Sequence, residues 1–101
     1  RHRVLRQFKG RILNIHPSLL PDFGGKGMYG IHVHEAVLRA GRTVSGITIH
    51  LVTEEYDAGP IMAQLEVPLD ANETPTSLAA KIQEQEPQFF VETLRKISKS
   101  V

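Results

Sequence analysis

The chain has no cysteine among its 101 residues, which excludes disulfides, zinc–thiolate sites and thiol catalysis. It has no apolar run longer than three residues, Ile61 to Ala63 being one example. No segment is therefore suited to span a membrane or to serve as a signal-peptide core. It also lacks an excess of either charge: twelve Lys+Arg against eleven Asp+Glu give a net charge of +1. That balance argues against a protein built to grip nucleic-acid backbones, since no basic run occurs beyond the first eleven residues. What is present is a globular mixture, 41% hydrophobic and 23% charged, which excludes wholesale disorder. A domain of this size buries about 65% of its unfolded surface. These features predict one α/β unit located in the cytoplasm.

The opening segment, Arg1 to Gly10, places Val4, Leu5 and Phe8 on one helical face ahead of a glycine suited to a left-handed cap. The spacing predicts a helix there, and a chain that starts inside an element and without methionine reads as cut. Ile12 to His16 form a short apolar strand stopped by Pro17, and residues 22–30 form a glycine-rich loop. A helix follows from about His34 to Ala40, with Gly41 as its stop. Val44 to Val52 read as a strand with Ile47, Ile49 and Leu51 on one face and Thr48, His50 and Val52 on the other. Strict alternation from Ile61 to Leu69 puts Ile61, Ala63, Leu65, Val67 and Leu69 inward. The connection between these two strands is too short for a crossover helix, so the pair is expected to be antiparallel. Thr74 as cap and Pro75 in the first turn open a last helix that runs to about Ile97.

Asn14 and His16 lie two apart on a strand and so share a face, at the carboxyl end where α/β sheets bind ligands. An amide donor beside an imidazole can stabilise an oxyanion and handle a proton. Asp57, in Asp-Ala-Gly-Pro, is either turn chemistry or a carboxylate that orients His16. His50 is a supporting partner or a plain surface histidine. His16, His32, His34 and His50 lack any H-E-x-x-H or carboxylate cluster, so no metal site is expected. In the last helix Glu86 interrupts the apolar stripe of Ile82 and Phe90, ahead of Pro87, which cannot donate to the Gln83 carbonyl. Either the helix kinks there, or Gln83 and Glu86, three apart, present polar groups to a ligand cleft.

The string Asn14-Ile-His16-Pro17-Ser18-Leu19-Leu20-Pro21, followed by Gly46-Ile-Thr-Ile-His50 and Asp57-Ala-Gly-Pro60, resembles the folate-dependent formyltransferases over residues 10–97. The resemblance implies an α/β, Rossmann-like, three-layer fold with a mixed sheet. Residues 1–101 would be its carboxyl-terminal portion, with the amino-terminal nucleotide-binding half missing. It implies formyl transfer from 10-formyltetrahydrofolate to the amino group of glycinamide ribonucleotide in purine synthesis. It assigns Asn14, His16 and Asp57 as catalytic, and Thr53, Glu54, Glu55, Tyr56, Asp57 and Asn14 as folate-binding. Gln83 and Glu86 would contact the ribonucleotide, and His50 would support the site. Family members that formylate a tRNA usually continue the motif with Arg-Gly-Ala-Ala-Pro-Ile, where this chain has Tyr29-Gly-Ile-His-Val-His34. Members that hydrolyse the formyl donor tend to replace Pro-Ser after the histidine, whereas Pro17-Ser18 stand here. Both alternatives, and a non-catalytic folate-binding module, stay open. Without the half that would hold the substrate phosphate, the isolated chain is expected to have little or no activity. With an open edge on the Ile12–His16 strand, it is expected either to self-associate through that edge or to be only marginally stable.

Overall fold

The computed structural model describes residues 3–6, 12–52 and 60–100. Its elements, in chain order, are β1 (Arg3–Arg6), β2 (Ile12–His16), α1 (Ile31–Arg39), β3 (Val44–Leu51), β4 (Ile61–Pro68) and α2 (Pro75–Ser100). The strands form one sheet in the order β1-β2-β3-β4, and all three pairings are antiparallel. The expected antiparallel β3–β4 pair is present. The mixed sheet that the resemblance implies for the whole fold is not formed by these four strands. Nor is a third helical layer, because both helices contribute to a single core, in which Val37, Leu78 and Ile82 join Leu13, Ile15, Ile47, Ile49 and Val67.

Two expectations change at the amino-terminal end. Residues 3–6 are extended and pair with Ile12–Ile15, where a helix was expected. A helix of under a dozen residues is marginal on its own, while pairing with β2 satisfies backbone donors and acceptors that would otherwise face an open edge. Consequently the edge of β2 expected to be open is covered, and the sheet's outer strands are β1 and β4.

Strand β3 is the spine. Its register sets Asn14 opposite His50 and Ile15 opposite Ile49, and six consecutive residues, Ser45–His50, are buried. Along β4 the expected alternation holds from Ala63 to Pro68, but Ile61 is 47% exposed. A register shift between Ile49 and His50 pairs Ile61 with His50, and a one-residue shift turns a side chain to the opposite face. Gly46 is required by close approach: a Cβ there would collide with the Leu65 carbonyl oxygen and the Leu19 side chain. Its absence lets the segment after Pro17 lie directly on β3.

Helix α1 begins three residues earlier than the spacing predicts, immediately after Gly30, whose φ of 56° ends the glycine-rich loop. Helix α2 is capped as expected. The Ser77 N–H donates to Thr74 Oγ1 at 3.1 Å, and the Thr74 N–H donates to Ser77 Oγ at 2.9 Å, a reciprocal cap. Pro87 lies inside α2, which is helical from 75 to 100 through it. No helix among the described residues is long and apolar enough to cross a membrane.

Candidate functional site

The alternation of β2 sends Leu13 and Ile15 into the helical core and Asn14 and His16 to the other side of the sheet. Asn14 is 4% exposed and His16 fully buried. Across the ladder Asn14 faces His50, and its Nδ2 lies 3.2 Å from His50 Nε2. Because an amide nitrogen only donates, His50 Nε2 accepts, and its Nδ1–H donates to the Leu51 carbonyl at 3.0 Å. The pair thus defines the tautomer of His50 and the orientation of the Asn14 amide. Asn14 Oδ1 is left enclosed and without a partner. Such an atom costs about 1–3 kcal/mol when sealed from water, and tolerating it points to a site rather than to core packing.

His16 is held from the other direction. Its Nε2–H donates to the Phe23 carbonyl at 2.8 Å. Phe23 has a φ of 57°, a left-handed conformation that costs a non-glycine residue roughly 1–2 kcal/mol. Three contacts hold it: the His16 bond, the Arg42 guanidinium 4.9 Å over its ring, and the adjacent Asp22–Arg42 ion pair at 3.1 Å. The same segment is fastened to the sheet by Thr48. Its hydroxyl donates to the Ser18 carbonyl at 2.7 Å and accepts from the Leu20 N–H and from Gln64 Nε2, each at 3.0 Å. One donor and two acceptor positions are all a hydroxyl has. Residues 18–23 are therefore fastened by backbone hydrogen bonds to His16 and Thr48 on this face.

The structure brings Asn14, His16 and His50 together. Thr53, Glu54, Glu55, Tyr56 and Asp57 lie outside the described residues. Gln83 and Glu86 lie elsewhere, in a pocket of about 310 Å³ on the helical side of the end of β2. Ile15 and Pro17 form one wall, Gly30, Ile31 and His34 at the start of α1 another, and Ile82, Gln83 and Glu86 of α2 the third. Gln83 is exposed and Glu86 is 8% exposed. The residue that breaks the apolar stripe thus lines this pocket, together with Gln83. Asn14, His16 and Pro17 connect the two regions through one short strand end.

Two residues here escaped sequence reasoning. Thr48 gives no signal, since a threonine facing a strand's second side is ordinary. His34 was weighed only as a metal ligand, yet it is buried in the pocket wall, and desolvation holds its pKa below 6.5. Among the described residues no group of three or more His, Cys, Asp or Glu side chains could hold a metal ion.

Comparison with known proteins gives a consistent picture. The family described as formyl transferase matches residues 1–94. The chain is 54% identical over 91 residues to the chloroplastic phosphoribosylglycinamide formyltransferase of Arabidopsis thaliana, covering 90% of this chain and 31% of that protein. It is 40% identical over 83 residues to phosphoribosylglycinamide formyltransferase of Escherichia coli, covering 82% and 37%. Its fold superposes on the crystal structure of phosphoribosylglycinamide formyltransferase from Bacillus halodurans with a TM-score of 0.75 at 41% identity, covering 94% of this chain and 49% of that one. The chain thus spans about a third of those two relatives and half of that solved structure.

Proposed function

This chain belongs to the formyl transferase family, and on that premise we propose that it forms the carboxyl-terminal part of a catalytic domain that transfers a formyl group from 10-formyltetrahydrofolate to the amine of glycinamide ribonucleotide. The observation that carries this reading is the placing of Asn14 and His16 on one face at the carboxyl end of β2, beside a pocket walled by Gln83 and Glu86.

In this reading the amine attacks the formyl carbon, and the oxygen that gains charge is stabilised by the Asn14 amide and by His16 Nε2–H. The Phe23 carbonyl oxygen, 2.8 Å from that nitrogen, occupies the position of an acceptor oxygen, so the 20–23 turn moves aside for substrate. Asp57 pairs with His16, favours its charged form and relays the amine proton. Thr53 to Asp57 line the folate pocket together with Asn14, and His50 keeps the Asn14 amide oriented. Gln83 and Glu86 hold the ribonucleotide. The reaction uses folate as co-substrate and no metal, nucleic acid or membrane, and we assign it to the cytoplasm. The portion of the relatives that this chain does not span would hold the substrate phosphate. Remote binding of that kind positions the amine, so the 101 residues alone are expected to turn over little or not at all. Self-association, if it occurs, would use the β1 or β4 edge.

The test is an assay of formyl transfer by the chain alone and after addition of the amino-terminal segment of the Escherichia coli relative. The reading expects negligible turnover alone and restored transfer to glycinamide ribonucleotide in the mixture. Full turnover from a monodisperse monomer would overturn the fragment's dependence. Release of formate without acceptor would point to a hydrolase, and binding of folate with no chemistry in the supplemented mixture to a non-catalytic module.

A further inference from the structure

His34 is the buried group that the reaction above leaves unused. It is 4% exposed, one turn into α1, and its ring forms part of the wall shared with Gln83 and Glu86. Desolvation keeps it neutral at pH 7. A neutral imidazole carries one proton on one of two nitrogens. Nδ1 is enclosed and has no partner. A proton there would be a sealed, unsatisfied donor, whereas a bare nitrogen is a weaker loss, so the proton belongs on Nε2, the nitrogen left to meet the pocket. Across the same pocket Glu86 offers a carboxylate, which when ionised only accepts. A group that accepts from one wall and donates to the other is a hydroxyl.

We propose that His34 is a ligand-contacting residue of this pocket, its Nε2–H donating to a sugar hydroxyl that in turn donates to the Glu86 carboxylate. The inference rests on reading the pocket as the ribonucleotide site, and it adds to that reading a second, neutral contact that selects for a hydroxylated sugar. Gln83, exposed at the mouth, is free of this requirement, since an amide can serve either polarity.

The 101-residue chain, uniformly labelled with ¹⁵N and supplemented with the amino-terminal segment of the Escherichia coli relative, is titrated by NMR with glycinamide ribonucleotide and with its 2′-deoxy and 3′-deoxy counterparts. The His34 Nε2 resonance should move on binding. His34→Phe should weaken Kd about three- to tenfold, the scale of one neutral hydrogen bond, and His34→Gln, which keeps a donor, should recover most of it. One deoxy analogue should bind the unsubstituted chain weaker by the same factor and show no further loss with His34→Phe. If His34→Phe loses its dispersed amide spectrum, His34→Gln and the deoxy analogues decide. Ribonucleotide binding that shifts the Gln83 and Glu86 amides, leaves the His34 ring unmoved and is insensitive to both deoxy changes overturns the proposal and leaves the pocket reading standing. Absence of any ribonucleotide-dependent shift in α2 overturns both.

Discussion

The two faces of the sheet are held by different physics, although they share the same strands. Toward the helices, Leu13, Ile15, Ile47, Ile49 and Val67 meet Val37, Leu78 and Ile82, and attachment is non-directional, proportional to the apolar area removed from water. On the other side Asn14, His16, Thr48 and His50 are just as buried, but attachment runs through particular donors and acceptors to the 17–23 segment. The first face is close-packed but selects no particular partner atom. On the second, each hydrogen bond names its partner. Chemistry that needs an amide and an imidazole held at a set separation therefore belongs on the polar face, while the apolar face supplies stiffness. The pocket with Glu86 opens where the helices diverge from the end of β2, so the same strand end serves both.

Truncation separates these roles most sharply on the apolar face. Ile47 is fully buried at its centre. Ile47→Ala is expected to destabilise by roughly 2–5 kcal/mol, read as a lower urea midpoint with an unchanged denaturant slope. A cost under 1 kcal/mol would mean that the two faces do not differ as argued. On the polar face the corresponding loss should be of rate. If the proposed transfer holds, then in the chain supplemented with the portion of its relatives that it does not span, Asn14→Ala should lower turnover by about 10²–10³ through loss of one oxyanion donor. Its urea midpoint should change less than that of Ile47→Ala, because Asn14→Ala gives up one hydrogen bond, from Nδ2 to His50 Nε2, while also removing the unpartnered Oδ1. Comparable falls in stability for the two would make Asn14 structural.

Thr48→Val keeps shape and removes only the hydroxyl. It strands the Leu20 N–H and the Ser18 carbonyl, at about 2–3 kcal/mol if both stay dry. The loss should be local as well as global. Amide exchange in residues 18–23 should accelerate more than exchange in α2, and uniform acceleration would contradict the picture of a segment fastened by hydrogen bonds.

Acid should unfold the two sides of the helical layer in separate windows. Glu73 is pulled down to about 2 by Lys81, then by Ser77 and by the Asp70 N–H, with Lys81 Nζ at 2.6 Å. Its folded value lies below the ordinary 4.5, so the unfolded chain takes the proton first. The stability it contributes is present above about 4.5 and lost as pH falls toward 2. Desolvation lowers the His34 pKa, so the unfolded chain also protonates first there, and stability declines as pH drops through 6.5 and below. Urea midpoints measured across pH 2–8 should show both limbs, with Glu73→Gln flattening the lower one and His34→Gln the upper. Unchanged limbs in these variants would assign acid unfolding to other groups.

Element order from β2 onward could be read from the sequence because local signals agreed with tertiary ones. Pro17 ended β2, Thr74 and Pro75 opened α2, and period-two alternation set the faces of β3. The amino-terminal strand could not be read that way, since its pairing depends on an edge that forms only when β2 is in the sheet. Ile61 was misplaced because a bulge leaves no trace in an alternating pattern. In the candidate site, Asn14 and His16 were visible through their two-residue spacing. Glu86 was visible as a polar residue on an apolar stripe. Thr48 and His34 were not, because what distinguishes them is enclosure and partners, which depend on segments far away in sequence.

The smallest effect expected is also the most discriminating between the faces. Ser45 and Thr48 are three apart on β3 and both are buried hydroxyls. Ser45 pairs with Val67 and so lies on the helical side, where its Oγ has no partner, while the hydroxyl of Thr48 is fully engaged. Ser45→Ala removes a desolvated hydroxyl and leaves a space smaller than a methyl group. The relief of an unpaired polar atom and the small loss of packing oppose each other, so the net change should lie between zero and about 1 kcal/mol of stabilisation. A paired comparison of Ser45→Ala with Thr48→Val by urea denaturation reads both signs in one experiment. Destabilisation by Ser45→Ala as large as that of Thr48→Val would show that hydroxyls on the two faces are equivalent, and the division between a non-directional and a directional face would fail.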